Sequence, residues 1–290
     1  MRFEQGTSGH EPALRQLMRT SVMPGTFRLA YAREPDLALS LGVEGTSHQV
    51  LAALEGDQVV GMGVRALRPA WVNGQACGLG YLGGLRSLER VRGGLGLAKG
   101  YRFLRDLHRD GRTPGYLTTI LEGNAGVRAL LTSHRAGMPH YLDLGRYTAH
   151  AVLLDRRRDP PKLPAGTEIV HPPAVPLDAV LAFLDEESRR RQFGPVFGQA
   201  LEPSAYYRDF RAEDFYVALR GGTLVGVTGV WDQRSYKQTL VDGYGGWVRR
   251  LRPFANRILG GLGYAALPEP GAALAQFSLA FIGIRGDDPS

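Results

Sequence analysis

The chain has 290 residues, 43% of them hydrophobic and 22% charged, and 35 Lys and Arg against 28 Asp and Glu give it a net charge of +7. That balance excludes a largely disordered chain, the length suits two domains of ~120–160 residues, and 39 Gly and 18 Pro at no fixed period exclude a collagen-like repeat. The single cysteine, Cys77, excludes an internal disulfide and a zinc site built on several thiolates, and it points to a reducing cytoplasm.

The opening Met1-Arg2-Phe3-Glu4-Gln5-Gly6 lacks the basic-then-apolar order of a signal peptide. No run reaches the ~18 apolar residues of a membrane span, so a membrane is not an expected partner. The arginine excess suits either a polyanion or a small phosphorylated cofactor.

In chain order, the pattern predicts helices over residues 10–18 and 36–41, then strands at 50–54 and 58–67 joined by a Gly56-Asp57 turn. An apolar strand follows over 76–85, a Gly-rich turn, and a helix over 95–109. Its apolar stripe is Leu97, Tyr101, Leu104 and Leu107. A strand at 116–121 precedes a helix opened by Asn124, with Val127, Leu130, Leu131 and His134 on one face and Gly137 and Pro139 ending it. A strand over 148–154 closes the half.

Asp155-Arg156-Arg157-Arg158-Asp159-Pro160-Pro161-Lys162-Leu163-Pro164 reads as a stiff, solvated connector. The expected division is a first domain over 1–155, a linker over 156–166 and a second domain over 167–290. Past the linker come a strand at 167–170 and a helix at 177–190 bearing Leu177, Val180, Leu181 and Leu184 on one face, with Arg189-Arg190-Arg191 at its end, read as a solvated terminus. Ala218-Leu219-Arg220-Gly221-Gly222-Thr223-Leu224-Val225-Gly226 then repeats the design of Ala53-Leu54-Glu55-Gly56-Asp57-Gln58-Val59-Val60-Gly61, an internal echo that favours duplication. Gly260-Gly261-Leu262-Gly263 mimics the earlier Gly-rich turn but is read as the end of a helix, followed by a strand at 277–284. The second domain is expected to be degenerate or cut short, with one functional cofactor site, in the first.

The stretch from Tyr81 to Ala98 runs a strand into a turn with Gly93, Gly94 and Gly96 and straight into a helix. Consecutive amides there can converge on an anion, the helix N-terminus adds partial positive charge, and Arg90 and Arg92 can pair with further oxygens: a pyrophosphate cradle. The alternative is a tight turn whose glycines serve packing only. Gly96-Leu97-Ala98 lacks the Lys-Ser/Thr of a P-loop, and the Gly78-Leu79-Gly80-Tyr81-Leu82-Gly83 match to a dinucleotide fingerprint lies within a strand.

The loop resembles the acetyl-CoA loop of the GNAT superfamily of N-acetyltransferases, and Ile120-Leu121-Glu122-Gly123-Asn124 through Arg135-Ala136-Gly137 resembles that family's second motif. The resemblance implies an α/β (α+β mixed-sheet) GNAT-like acyltransferase fold in two tandem domains, with acetyl-CoA as cosubstrate and no metal. It implies that Leu85, Arg86 and Ser87 pair with the pantetheine arm, that Arg92, Gly93, Gly94, Leu95, Gly96 and Leu97 hold the pyrophosphate, and that Asn124 meets the pantetheine or helps splay the central strands. If Gly94 and Gly96 are the motif's glycines, Val91 stands at its Gln/Arg position; alternatively Arg92 fills that position with a loop one residue shorter, and Leu131 stands where the family often has a catalytic Tyr. Catalytic candidates are therefore Tyr81, Glu122, His134 and Tyr141, with Glu122 and Tyr81 carried forward. The plainer readings are favoured at three positions: Glu122 as a solvated strand terminus, His134 as a core histidine and Cys77 as a small buried core residue. In that family the early helices border the acceptor site, which nominates Phe27, Arg28, Tyr31 and Glu34 here, residues that read equally as surface packing.

The implied activity is N-acetyl transfer from acetyl-CoA to a small-molecule or peptide amine by direct attack. The competing reading is a non-catalytic CoA-binding or regulatory protein. Nucleic acid ranks last as a partner because no basic segment is interleaved with aromatics. The oligomeric state stays open, a homodimer included.

Overall fold

The computed structural model describes residues 1–23, 25–92, 95–133, 135, 137–152, 154, 162–197, 205–262, 264 and 266–288. Its elements are β1 (Arg2–Gln5), α1 (Glu11–Thr20), β2 (Phe27–Ala32), α2 (Leu37–Gly42), β3 (Ser47–Glu55), β4 (Gln58–Val72), β5 (Gln75–Ser87), α3 (Gly96–His108), β6 (Tyr116–Leu117) and α4 (Ala125–Leu131). They continue with β7 (Thr167–Val170), α5 (Leu177–Arg189), β8 (Phe215–Arg220), β9 (Thr223–Trp231), β10 (Gln238–Tyr244), α6 (Gly246–Gly261) and β11 (Ser278–Ile284).

The first half is a five-stranded mixed sheet in the order β1-β3-β4-β5-β6, antiparallel except for the β5–β6 pair. α1 buries Leu14, Leu17 and Met18, and α2 buries Leu37 and Leu41, against Ala52, Leu54, Val59, Met62 and Val64 of the central hairpin. Each such leucine contributes about 2 kcal/mol by leaving water. The side chain of Asp36 accepts from Ala38 N–H and caps α2, whereas α1 starts with Pro12 in its first turn.

The second half is a four-stranded antiparallel sheet, β11-β9-β8-β7, covered by α5 through Val180, Leu181, Phe183 and Leu184. Its hairpin repeats the first one residue for residue. Ala53↔Gly61, Leu54↔Val59 and Glu55↔Gln58 recur as Ala218↔Gly226, Leu219↔Leu224 and Arg220↔Thr223, each with an irregularity between the first two pairs.

The next strand repeats too. Between Val64↔Gly83 and Met62↔Arg86, two residues of β5, Gly84 and Leu85, oppose the single Gly63. Between Gly229↔Ala280 and Val227↔Gly283, Phe281 and Ile282 oppose the single Thr228. The first bulged residue is left-handed in both, Gly84 at φ 62° and Phe281 at φ 53°.

Two elements tie the halves together. β2 and β10 pair as an antiparallel ribbon, Gln238↔Ala32 through Tyr244↔Phe27, and the 71–74 turn meets 192–195 through Trp71 N–H to Gly194 O at 2.7 Å and Phe193 N–H to Trp71 O at 2.8 Å. Phe27, Arg28 and Tyr31 lie on strand β2, between α1 and α2, where every second residue, Ala30 and Ala32, is buried.

Residues 148–152 and 154, expected as a strand, carry none. The segment is exposed, with Tyr147, Val152 and Leu154 at 84%, 69% and 76%, so its apolar alternation has no neighbouring strand to pack on. The strand expected over 116–121 shrinks to Tyr116–Leu117. Cys77 is half-buried rather than buried, and α6 ends at Gly261 as the glycines predict. His134 and residues 155–161 lie outside the described residues.

Candidate active site at the parting of two strands

β5 and β6 run parallel for only two residue pairs, Gly80↔Tyr116 and Tyr81↔Leu117, while β5 continues for six more residues. The junction is fixed by a buried cation. Arg65 of β4 has no exposed surface and donates to Asp110 at 2.7 and 2.9 Å and to the Tyr116 hydroxyl at 2.9 Å. An arginine in that position needs such a bidentate partner, because its charge is otherwise uncompensated. The bond from Arg65 holds the Asp110 carboxyl down at a pKa of about 2. His108 completes the cluster, 3.1 Å from the Tyr116 hydroxyl.

Close approach at the junction depends on Gly80. Its N–H reaches both Gly115 O and Thr113 Oγ1 at 3.0 Å, and a β-carbon there would lie 2.2 Å from Tyr116 Cδ1. Beyond the junction the strands separate. The Tyr81 hydroxyl spans the gap to Thr119 Oγ1 at 2.7 Å. Thr118, one residue earlier, joins a second hydroxyl chain, 3.4 Å from the Tyr141 hydroxyl, which lies 2.8 Å from that of Tyr101 on α3. Burial, then the bond to Tyr141, pushes the Tyr101 phenol far up, so it stays protonated.

Along the free side of β5 lie Leu85, Arg86 and Ser87, with Leu85 48% exposed at the bulge. A single 3-10 turn over Glu89–Val91 then leads to α3. Leu95 is its N-cap, 74% exposed and offering no side-chain acceptor, and the first turn holds no acidic residue. The amides of Gly96 and Leu97 therefore open an uncapped, positively polarised helix end. Gly96 also permits packing, since a β-carbon there would sit 3.2 Å from Met1 Sδ. Arg92 is exposed beside this end, while Arg90 is turned away onto the β3–β4 hairpin by Glu55 and by Gln58 at 2.8 Å. Gly93 and Gly94 lie outside the described residues.

Asn124 is the N-cap of α4, its side chain accepting from Val127 N–H at 3.4 Å. Glu122 does not join Tyr81: its side chain is 78% exposed and paired with Arg146 at 3.1 Å. Leu131 is buried. The structure thus gathers Tyr81, Leu85, Arg86, Ser87, Leu95, Gly96 and Leu97 along one strand and the helix end it leads to. Thr119, Arg65 and Asp110 had escaped sequence reasoning; an arginine amid the apolar run of β4 was the one visible signal. Among the described residues no cluster of His, Cys, Asp or Glu could hold a metal ion, and no helix is long and apolar enough to cross a membrane.

No protein-family model matches the chain, and no curated protein matches it by sequence. Among solved structures it is similar to the aminoglycoside 6'-N-acetyltransferase AAC(6')-IG from Acinetobacter haemolyticus, at 14% identity and a TM-score of 0.35 over 52% of this chain and 100% of that one. It is similar to AAC(6')-Iy in complex with a CoA-containing bisubstrate analogue, at 16% identity and a TM-score of 0.38 over 51% of this chain and 97% of that one. A transcriptional regulator from Bacillus halodurans C-125 is similar at 13% identity and a TM-score of 0.35, over 50% and 98%. Each likeness spans about half of this chain, and its α/β mixed-sheet architecture stands on the strand pairing described above.

Proposed function

We propose that the chain is an acetyl-CoA-dependent N-acetyltransferase acting by direct attack of an amine in a ternary complex, built as a tandem pair of GNAT-like halves (1–155 and 167–290) of which the first holds the cosubstrate. The observation that carries this is the parting of β5 from β6 just ahead of an uncapped helix end. An open strand edge suits an extended arm with its own amides, as an added strand would. An uncapped helix N-terminus suits a diphosphate. Pantetheine and pyrophosphate are joined in that order in CoA, and the residues present fit the group.

On this reading the backbone of Leu85, Arg86 and Ser87 takes the arm. Arg92, Leu95, Gly96 and Leu97 hold the pyrophosphate together with Gly93 and Gly94, and Asn124 acts by fixing α4 at the other side of the gap. Acetyl-CoA supplies a thioester whose carbonyl carbon is open to an amine. The Tyr81 hydroxyl, positioned by Thr119 Oγ1, supplies the proton that the departing thiolate needs. Glu122, solvated and paired with Arg146, leaves deprotonation of the amine to solvent, and holding the two reactants together accounts for much of the acceleration. The setting is a soluble, cytoplasmic one.

Leu131 in place of the family's tyrosine and the exposure of Glu122 favour a second reading, a CoA-binding or regulatory protein without turnover. Calorimetric titration of acetyl-CoA into wild type and Leu95→Asp, followed by CoA release over an amine panel, tests both. The aspartate caps the amides and repels phosphate, so affinity falls about tenfold or more while the fold gains about 1 kcal/mol. Binding with release supports the transferase, binding without release selects the second reading, and no binding in wild type defeats both. Tyr81→Phe should lower kcat by about 100-fold with KM for acetyl-CoA unchanged.

A further inference from the structure

Helix α6 turns its apolar stripe outward. Trp247, Leu251, Phe254 and Ile258, with Leu262 at the C-cap, recur at steps of three or four residues and fall within an arc of about 80°. All five are exposed, Trp247 by 71% and Phe254 by 65%. On α5, by contrast, Val180, Leu181 and Leu184 face the core. The rotation of α6 is fixed by its other face. Val248 packs with Val241 and Tyr244, and the Asn256 side chain accepts from Leu267 N–H at 2.7 Å and donates to Leu267 O at 3.0 Å. Arg252 lies 5.8 Å from the Tyr244 ring centre and pairs with Glu269. Turning the stripe inward would break every one of these contacts.

The charges on this helix are of one sign. It carries Arg249, Arg250, Arg252 and Arg257, and no acidic residue stands between Asp242 and Glu269. At 3.6 residues per turn Arg250 and Arg257, seven positions apart, border the stripe, whereas Arg249 lies across the helix from it. All three are exposed, and among the described residues no carboxylate pairs with any of them. A second copy of α6 is a poor cover for the stripe, since it would set arginine against arginine. An exposed apolar arc bordered by cations, with a tryptophan at one end, suits the boundary between acyl chains and anionic headgroups. At 16 residues α6 is too short and too charged to cross a bilayer. The expectation that no membrane takes part rested on the lack of a span, which a helix lying in the interface does not need.

We propose that α6 docks the protein reversibly on an anionic lipid surface, with the Trp247–Leu262 stripe sunk to the level of the headgroups and Arg250 and Arg257 on their phosphates and carboxylates. The proposal does not depend on the transferase reading, because α6 shares no residue with the cofactor site.

The full chain is co-sedimented with vesicles of phosphatidylcholine alone and of phosphatidylcholine containing one-third phosphatidylserine. It should bind the anionic vesicles about tenfold tighter or more, and the advantage should shrink as salt is raised. Phe254→Glu, on the stripe, should lower anionic-vesicle affinity about tenfold or more. Arg250→Gln and Arg257→Gln should each lower it about fivefold, and Arg249→Gln, on the far side, by less than about twofold. Thermal melting checks that each variant folds, and the exposed positions of Phe254 and the arginines give independent readings of the same contact. Equal affinity for the two kinds of vesicle, or anionic binding that survives Phe254→Glu, overturns the proposal, since the net charge of the whole chain would then account for it. Absence of vesicle binding also overturns it: a dimer in light scattering that Phe254→Glu converts to a monomer would assign the stripe to a second copy, and a monomer would assign it to an acidic protein.

Discussion

The two halves of the chain build the same hairpin, pair the next strand in the same register and kink it at the same place, yet they put opposite things at the kink. In the first half the left-handed position is Gly84, and the strand edge beyond it is open, with Leu85 exposed. In the second it is Phe281, whose ring meets Phe197, Tyr207, Phe210, Phe215 and Trp231 at centroid distances of 4.7–5.9 Å. One bulge lies at an exposed strand edge and the other is filled by the protein's own core. A repeated backbone is therefore not a repeated site: the first half also needs β6, pinned by Arg65, and an uncapped helix after the strand.

The comparison can be broken most forcefully at the plug. Phe281→Ala removes the hub of the aromatic cluster and should cost roughly 3 kcal/mol in denaturant unfolding, with acetyl-CoA binding in the first half unaffected. An equal loss in both properties would mean that the halves do not act separately. The converse graft, Gly84→Val, forces a β-branched residue to φ 62° with its Cβ 2.9 Å from Val64 Cγ2. It should cost about 1–2 kcal/mol and abolish acetyl-CoA binding by calorimetry. Retained binding would show that the bulge is not part of the cradle.

A third test uses acid. The Asp110 carboxyl, held at about 2 by Arg65 against an ordinary 3.8, is lower in the folded chain than in the unfolded one. Its stabilisation is thus complete above pH 4 and is lost as the pH falls toward 2. Thermal melts of wild type and Asp110→Asn should differ at pH 7 and converge near pH 2–3; parallel curves at every pH would remove the ion pair from the account of the junction. The smallest effect on the fold is that of Leu95→Asp, a gain of about 1 kcal/mol. It sharpens the comparison because a variant that melts higher while binding acetyl-CoA more weakly separates site from scaffold.

The local code was legible where it was local. Gly56 and Gly221 mark the duplicated turns, the Leu97–Leu104 stripe marks α3, and the paired glycines before Leu262 mark the end of α6. The candidate site was legible only as a list of positions on one strand and one helix end. Thr119 carried no sign that it meets Tyr81 across the gap.

The sequence by itself determined the hairpins, the helix faces, the lack of an acid in the first turn of α3 and the absence of a cysteine pair, because these depend on residues within a few positions of one another. Tertiary structure decided the β2–β10 ribbon, the two-pair length of the β5–β6 junction and the burial of Arg65. Each of these joins residues tens to hundreds of positions apart. Such pairings are chosen by burial, charge compensation and backbone register in the folded chain, which no short window of sequence contains.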